Sequence, residues 1–447
     1  MSKILTREEV ASLEATRVHE IISNVMLADG FDLVCDLSKS NGVYLYDARE
    51  KKWYLDMFSF FASQGLGFNH PKMMEQDFLE KLTRAAVMKP SNSDIYTVEM
   101  AQFVATFNRV AFPDYGKHLF LISGGALAVE NALKVAFDWK VQKNFEKGYK
   151  EERGHKVLHF REAFHGRTGY TLSLTNTDPI KIRYFTKFDW PRVINPKITF
   201  PLEEHLDEVK KLEAQAIDEI YSAFKESPDD IAAILIEPIQ CEGGDNHFRP
   251  EFLQKLRKIA DENDAMLIFD EVQTGGGATG TMWGYEQLGV EPDIFAFGKK
   301  LQVCGIVSSS RVDEVPDNVF AVSSRINSTW GGNLVDMVRS QRFLEIVEED
   351  NLLENARIMG EFLLGGLKEI EAEFPFVSNA RGRGLLCSFD LDTPERRDAT
   401  RQEAYRLGMI ILPCGVRSIR FRPVLDVRKE ELERALAILR EALINVK

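Results

Sequence analysis

Acidic and basic side chains follow two apolar runs of the chain, at the points where each run ends. Residues 266–269 are apolar and lead to Asp270, and residues 294–297 lead through a glycine to Lys299 and Lys300. Apolar runs of this length are typical of buried strands in a parallel sheet. Because open α/β sheets bind ligands beyond the carboxyl ends of their strands, the acid and a lysine are candidates for one site. The alternative is that Asp270 caps a turn and both lysines lie in solvent.

The glycines that follow Asp270 offer a competing interpretation. Gly275, Gly277 and Gly280 match G-x-G-x-x-G, the fingerprint of dinucleotide-binding proteins. That fingerprint opens directly from a strand, and an acid near the end of the next strand holds the ribose. Here residues 271–274 intervene and the next strand ends in lysine. A nicotinamide-dependent oxidoreductase is therefore the weaker alternative.

The residues around both strand ends resemble those of the class III aminotransferases, which are pyridoxal-phosphate enzymes of fold type I. The resemblance rests on IFDEVQTG at residues 268–275, on PDI at residues 292–294 and on the lysine after the next strand, and it extends over nearly the whole chain. Within the family, AFGKK at residues 296–300 and QVCG at residues 302–305 are most similar to the lysine 6-aminotransferases. A mutase or racemase of the same fold would keep the same cofactor residues.

The resemblance implies catalytic and cofactor-binding roles at the two strand ends. The acid matching Asp270 keeps the pyridine nitrogen of pyridoxal 5'-phosphate protonated, and Gln273 is expected to hydrogen-bond the phenolic oxygen. A lysine links covalently to the cofactor and then moves protons as general acid and base. Counting from the upstream strand favours Lys299 for this lysine, and counting back from the downstream glycine favours Lys300. Adjacent strand residues point to opposite faces, so only one can reach the crevice, and we predict Lys299.

A glycine turn is predicted to hold the cofactor's phosphate. SGGALAVE at residues 123–130 follows a predicted strand at residues 119–122 and begins a predicted helix over residues 126–136. Glycines between a strand and a helix leave backbone N–H groups free to bind a phosphate, although an ordinary serine N-cap is the alternative. The resemblance favours a phosphate turn that includes Gly125 and Ala126. Many family members carry a hydroxyl where this chain has Ala126, so the phosphate is expected to depend more on backbone donors.

The resemblance also implies an aromatic contact and a contact between subunits. In AFHGR at residues 163–167, the aromatic matching Phe164 stacks on the cofactor ring, whereas the alternative is a phenylalanine of the core. In NSTWGG at residues 327–332, the threonine matching Thr329 reaches the phosphate of the neighbouring subunit. We therefore expect a homodimer with shared active sites.

Three charged side chains match substrate contacts of the family. Arg167 is expected to bind the carboxylate of L-lysine that lies far from the reacting amine, and Arg420 the carboxylate beside the keto group of 2-oxoglutarate. In the family, the glutamate matching Glu242 faces the reacting centre, and Glu242 is expected to pair with Arg420 until the keto acid arrives. The products would be 2-aminoadipate 6-semialdehyde and L-glutamate. Enzymes that act on 4-aminobutyrate and ornithine share most of this pattern and remain alternatives.

The order of elements predicts an α/β protein with two domains. Alternating strands and helices predict a large domain over residues 65–325 with a mostly parallel sheet flanked by helices, as in fold type I. Residues 1–64 and 326–447 are expected to form a smaller α+β domain from both termini. A hairpin is predicted at residues 43–56. A capping box at Thr6 and Glu9 predicts an N-terminal helix that docks on the body.

The composition excludes several classes of partner. The 447 residues carry a net charge of −13 with a pI near 5.3, which argues against nucleic acid and anionic membranes as partners. Neither a signal peptide nor a membrane span is expected from the sequence. The five cysteines are far apart and form no C-x-x-C pair, which suits reduced thiols and argues against a metal site. We expect a cytoplasmic protein with small-molecule substrates.

Overall fold

The strands of this chain form four sheets in the computed structural model, which describes residues 5–447. They are, in chain order, β1 (Tyr44–Asp47), β2 (Lys52–Asp56), β3 (Gly116–Ile122), β4 (Lys156–Phe160), β5 (Arg192–Val193), β6 (Ile231–Ile236), β7 (Ile239–Gln240), β8 (Asn246–His247), β9 (Met266–Asp270), β10 (Ile294–Phe297), β11 (Cys304–Ser309), β12 (Val377–Arg383), β13 (Leu386–Leu391), β14 (Met409–Ile410), β15 (Leu412–Cys414) and β16 (Ser418–Phe421).

The α-helices are distributed along the whole of the described chain. They are α1 (Arg7–Ala11), α2 (Val18–Ser23), α3 (Ser59–Ala62), α4 (Gln76–Met88), α5 (Val98–Val110), α6 (Gly125–Glu146), α7 (Gly169–Leu174), α8 (Leu202–Glu226), α9 (Pro250–Glu262), α10 (Leu334–Glu349), α11 (Leu352–Glu373), α12 (Pro394–Arg406) and α13 (Lys429–Asn445). All residues of α3 have positive φ, so this single turn is left-handed. Within residues 5–447, no helix combines the length and the apolar run needed to cross a bilayer.

The largest sheet has seven strands in the order β3-β11-β10-β9-β6-β4-β5. Its strands β10, β9, β6, β4 and β5 are parallel, while β11 runs antiparallel to both of its neighbours. Every residue of β6, β9 and β10 is buried, as expected for a parallel sheet covered by helices. Helix α6 packs on β6, β10 and β11, and α9 packs on β6 and β9. The predicted α/β class and the mostly parallel sheet flanked by helices are confirmed.

Of two smaller sheets, one lies in the C-terminal part and the other joins strands from both ends of the chain. The antiparallel sheet β12-β13-β16-β15 lies entirely in the C-terminal part. The predicted hairpin is confirmed as β1 and β2, and β14 joins it in parallel, with Met409 opposite Leu55. The two termini therefore share one sheet, which supports a small domain built from both. The domain boundaries at residues 65 and 325 stay predictions.

The N-terminal segment differs from its prediction. The capping box at Thr6 and Glu9 is confirmed. The single docked helix is wrong for this chain, because α1 and α2 are separate short helices and every residue in them keeps some exposure. Helix α1 ends where the hydroxyl of Ser12 donates to the carbonyl of Glu8, a local bond that competes with continuation of the helix.

Candidate active site

Asp270 and Lys299 lie at one edge of the large sheet because β9 and β10 are parallel neighbours. Ala296 of β10 is opposite Asp270, and Lys299 follows β10 after one glycine. Burial lowers the pKa of the Lys299 ammonium, and repulsion from Arg420 lowers it further, while Asp270 and Glu237 act in the opposite direction. The strand ends thus bring an acid and an easily deprotonated amine into one crevice.

Lys300 lies in different surroundings from Lys299. Its Nζ donates to the carbonyl of Ala62 at 3.1 Å, at the end of the left-handed turn α3. The side chain borders a cleft of about 690 Å³ that Phe60 and Phe343 also line. Complete burial lowers the pKa of Lys300 to about 7. The two lysines therefore point to different places, and Lys299 is the one that shares a crevice with Asp270.

His165 holds the carboxylate of Asp270 in place. Its Nδ1 lies 2.8 Å from Asp270 Oδ2, and both side chains are buried. Asp270 Oδ1 also accepts from the backbone N–H of Val272 at 3.1 Å. Among residues 5–447, the buried Nε2 of His165 has no hydrogen-bond partner. Sequence reasoning assigned no function to His165, although it lies inside the FHGR segment, because 105 residues separate it from Asp270.

Glu237 fixes the backbone next to the predicted stacking residue. Its carboxylate accepts from the backbone N–H of Phe164 at 2.9 Å and of Cys241 at 3.2 Å. Burial raises the pKa of Glu237 well above its usual value, and the negative charge of Asp270 raises it further. The contact with Phe164 depends on the packing of β4 beside β6.

The turn before α6 forms an open cradle at the amino end of a long helix. Gly124 has φ +115°, and nothing in the described part of the chain lies within 4 Å of the Cβ that it lacks. The helix starts at Gly125, one residue earlier than predicted. The serine cap alternative is wrong, because Ser123 Oγ donates to the carbonyl of Trp330 at 2.7 Å. The first N–H groups of α6, which include those of Gly125 and Ala126, remain available for an anion.

The FHGR segment packs directly against this helix. Gly166 has φ +120°, and a Cβ there would lie 2.4 Å from the Cβ of Ala126. Only glycine permits this close approach, which brings the backbone of the FHGR segment against the amino end of α6. The residues present therefore fit pyridoxal phosphate: an anion cradle, an aromatic side chain, a buried carboxylate and a buried amine lie around one crevice.

Gln273 is held between two arginines. Its Oε1 accepts from Arg420 Nη1 at 3.2 Å and from Arg422 Nε at 3.3 Å. Arg422 is completely buried and forms an ion pair with Asp245, which is also buried. These contacts orient the Gln273 side chain so that its NH2 group is left to donate elsewhere. Sequence reasoning placed Gln273 and Arg420 in the site but missed Arg422 and Asp245.

Glu242 pairs with Lys181 in the structure. The Glu242 carboxylate bonds the Lys181 ammonium here, so the expected pair between Glu242 and Arg420 is not formed in this structure and stays a prediction for the protein with L-lysine bound. Arg420 donates instead to Gln273. Lys181 lies in a turn 61 residues before Glu242, so sequence reasoning did not identify it as a competitor of Arg420.

The remaining two predicted residues lie toward the outside of the single chain. Arg167 is exposed and acts on Lys181 through its charge. Thr329 is also exposed, and its carbonyl accepts from Ser91 Oγ at 2.6 Å. Their expected contacts with substrate and with a neighbouring subunit stay predictions.

Comparison with known sequences agrees with this geometry. A sequence profile of the class-III aminotransferases matches residues 26–443. The chain is 53% identical over 429 residues to the L-lysine-epsilon aminotransferase of Mycobacterium tuberculosis, covering 96% of this chain and 95% of that one. It is 49% identical over 443 residues to the L-lysine-epsilon aminotransferase of Streptomyces clavuligerus, covering 98% and 96%. It is 30% identical to the mitochondrial 4-aminobutyrate aminotransferase of Homo sapiens, covering 99% and 91%.

Comparison with solved structures gives the same result for the fold. The lysine aminotransferase of M. tuberculosis in the internal aldimine form superposes with a TM-score of 0.95 and 52% sequence identity, covering 97% of this chain and all of that one. With a matching sequence profile, a matching fold and a crevice that fits pyridoxal phosphate, this chain belongs to the class-III aminotransferase family.

Proposed function

We propose that the protein transfers the terminal amine of L-lysine to 2-oxoglutarate, giving 2-aminoadipate 6-semialdehyde and L-glutamate. The observation that carries the proposal is the identity of 49–53% to lysine-epsilon aminotransferases over nearly their full length. Identity to a 4-aminobutyrate aminotransferase is only 30%. A 4-aminobutyrate enzyme is the second candidate, because an outer arginine such as Arg167 suits the distal carboxylate of either donor.

The residues at the strand ends provide the chemistry of transamination in this proposal. Bound pyridoxal phosphate supplies an electron-withdrawing ring that stabilises negative charge on the substrate carbon. Asp270, held by His165, would place its carboxylate beside the ring nitrogen and favour the protonated form of that nitrogen. Phe164 would cover the cofactor ring, and Gln273 would have its NH2 group available to hydrogen-bond the phenolic oxygen.

Lys299 links to the cofactor and later moves protons. Its lowered pKa leaves more of the amine neutral near pH 7, which is the form that bonds to a carbonyl and accepts a proton. With its amine free, Lys299 would be placed to take a proton from the substrate carbon as general base and to return it as general acid. Lys299 thereby has two functions in sequence.

Arg420 and Arg167 distinguish the two substrates. Arg420 lies in the crevice near Lys299 and suits the carboxylate beside the keto group of 2-oxoglutarate. Arg167 lies further out and suits the carboxylate at the other end of either substrate. Glu242 neutralises Arg420 when L-lysine presents only methylene groups to it.

Gly125 and Ala126 bind the phosphate through backbone N–H groups in this proposal, and Thr329 binds the phosphate of a second copy in a homodimer. Thr329 and the Gly125–Ala126 turn are linked through Trp330, whose carbonyl accepts from Ser123. The five cysteines are free thiols, which favours the reducing cytoplasm as the location.

Amine-donor profiling tests the proposal. The purified enzyme with 2-oxoglutarate is assayed for L-glutamate formation from L-lysine, L-ornithine and 4-aminobutyrate. We expect the highest kcat/KM with L-lysine, by a factor of about ten or more. The other donors would misplace their carboxylate and lose a charged hydrogen bond, and that loss lowers kcat/KM by about this factor. A preference for 4-aminobutyrate would support the second candidate, and no turnover of L-lysine would refute the proposed donor.

A further inference from the structure

Lys181 occupies the space between the proposed substrate contacts. It ends a short turn, Pro179–Lys181, in which the backbone N–H of Ile180 donates to the side chain of Asp178 at 3.0 Å. Its Nζ bonds the Glu242 carboxylate and also donates to Thr177 Oγ1 at 3.2 Å. The same Nζ lies 5.6 Å from the centre of the Phe164 ring. Lys181 is therefore next to the group that stacks on the cofactor.

The surroundings of Lys181 are strongly cationic. Burial lowers the pKa of Lys181, and the nearby charges of Arg167 and Arg420 lower it further, while the negative charge of Asp178 acts in the opposite direction. Three cations in a partly buried crevice repel one another unless a carboxylate lies among them. Glu242 supplies that carboxylate, and with an exposed side-chain fraction of 23% it is largely shielded from water. Lys181 and Arg420 are thus rival partners for one anion.

The backbone of Glu242 is fixed, so only its side chain can change partner. Its carbonyl accepts from the backbone N–H of Gly415 at 2.8 Å. The next residue, Gly243, packs so closely that a Cβ would lie 2.0 Å from the carbonyl oxygen of Glu162. A change of partner therefore requires rotation of the Glu242 side chain and leaves the loop in place.

We propose that Lys181 is the resting partner of Glu242 and competes with Arg420 for its carboxylate. By holding Glu242, Lys181 leaves Arg420 unneutralised and open to the carboxylate of the incoming keto acid. Lys181 is a positioning residue in this role, since it acts on the substrate through Glu242. The inference rests on the proposed function in one respect, namely that Arg420 binds the acceptor's carboxylate.

Binding of glutarate to the holoenzyme tests the proposal. Glutarate carries the two carboxylates of 2-oxoglutarate and lacks the keto group, so its dissociation constant can be measured by titration calorimetry without reaction. In Lys181→Met, freed Glu242 pairs with Arg420, and we expect glutarate to bind roughly three- to tenfold more weakly, a normal coupling between neighbouring charges. Lys181→Arg should bind within about twofold of the parent, because the cation is retained.

The double variant separates this role from a direct contact. In Lys181→Met/Glu242→Gln no carboxylate remains to neutralise Arg420, so we expect glutarate to bind as tightly as to Glu242→Gln alone. Lys187→Met is the matched control, because Lys187 is a cation of the same segment whose Nζ donates to the carbonyls of Ile182 and Phe185. It should bind glutarate as the parent does.

Two results would overturn the inference. Equal weakening in Lys181→Met and in the double variant would mean that Lys181 contacts the ligand itself, and unchanged binding in Lys181→Met would mean that it does not compete for Glu242. Thermal unfolding of each variant identifies a loss of fold, in which case Lys181→Gln replaces the methionine variant. Failure of the proposed function appears separately, as absent turnover of L-lysine by the parent enzyme, because the glutarate measurement needs no amine donor.

Discussion

Two adjacent lysines show how strongly burial and neighbours distinguish residues of one type. Lys299 lies among Asp270, Glu237 and Arg420, whereas Lys300 donates to a backbone carbonyl on the other side of the strand end. Both have a lowered pKa because burial disfavours the ammonium form. Low basicity alone therefore does not identify the cofactor lysine, and the position of the acid does.

Alanine variants of the two lysines should separate their functions. The purified parent should be yellow, and Lys299→Ala should lose the covalent link to pyridoxal phosphate because it lacks the only amine beside Asp270 in the described structure. Lys300→Ala should keep the link. Intact mass after borohydride reduction measures the link directly. If Lys300→Ala alone failed to bind covalently, the assignment of the lysine would be reversed.

The charged pair in the crevice should affect the two half-reactions in opposite ways. Glu242→Gln should slow the half-reaction with L-lysine by about tenfold or more, because an unpaired arginine facing only methylene groups costs several kcal/mol. The half-reaction with L-glutamate should be spared, since its carboxylate pairs with Arg420. Arg420→Ala should show the reverse preference.

Single-turnover absorbance changes with each amino acid measure the two half-reactions separately. Glu286→Gln is a suitable control, because its carboxylate caps a turn at Trp283 away from the crevice. Equal losses with both amino acids in Glu242→Gln would rule out a switch of the glutamate between partners.

At the scale of elements, glycines allow helix α11 to pack closely against the loops around it. A Cβ at Gly280 would lie 3.1 Å from the Cβ of Arg357 in α11, and a Cβ at Gly360 of the same helix would lie 2.1 Å from the carbonyl oxygen of Gly384. The glycine run after β9 therefore serves as a surface on which α11 packs. This explains the match to a dinucleotide fingerprint without a nicotinamide cofactor.

Two glycines of α11 provide a matched pair for testing this packing. Gly360→Ala should lower the free energy of unfolding by roughly 1–3 kcal/mol, because its methyl group would overlap a backbone carbonyl that cannot move aside. Gly365→Ala should raise the free energy of unfolding by about 0.5–1 kcal/mol, because the site is open and alanine favours the helix. Urea denaturation measures both values. Equal effects of the two substitutions would contradict the packing argument.

At the scale of the whole molecule, apolar side chains are exposed along the segment that precedes and begins α5. Ile95, Tyr96 and Val98 are each at least 70% exposed. Ser91 of the same segment bonds the carbonyl of Thr329, the residue proposed to bind a second copy's phosphate. Exposed apolar side chains of this kind are typical of a protein interface. The hydrogen bond from Ser91 to Thr329 links this segment to the residue proposed to reach a second copy, which favours a second copy of this chain as the partner.

Sedimentation velocity should therefore show a homodimer at micromolar concentration. Ile95→Glu should shift the protein toward monomer and weaken pyridoxal phosphate binding, because it places a charge in the interface and removes the partner's threonine from the phosphate. Ile444→Glu, at an exposed site of α13, is the control and should remain dimeric. A fully active monomer would refute the shared active site.

The sequence by itself determined the parts of this protein that depend on short segments. Apolar runs that end in Asp270 and Lys299 predicted β9, β10 and their common edge, because buried parallel strands need apolar side chains on both faces. The glycines before α6 predicted an anion cradle for a similar reason, since a local backbone conformation requires them. These features and the family resemblance were enough to predict the fold class, and they proposed the residues of the site.

Only the tertiary structure decided which side chains meet across long separations in the chain. The contact of His165 with Asp270, of Glu237 with Phe164 and of Lys181 with Glu242 joins residues 105, 73 and 61 positions apart. When two cations lie near one carboxylate, the packing of the fold decides which of them comes close enough to pair with it. The family resemblance predicted Arg420 as the partner of Glu242, whereas in the folded chain the Glu242 carboxylate contacts Lys181.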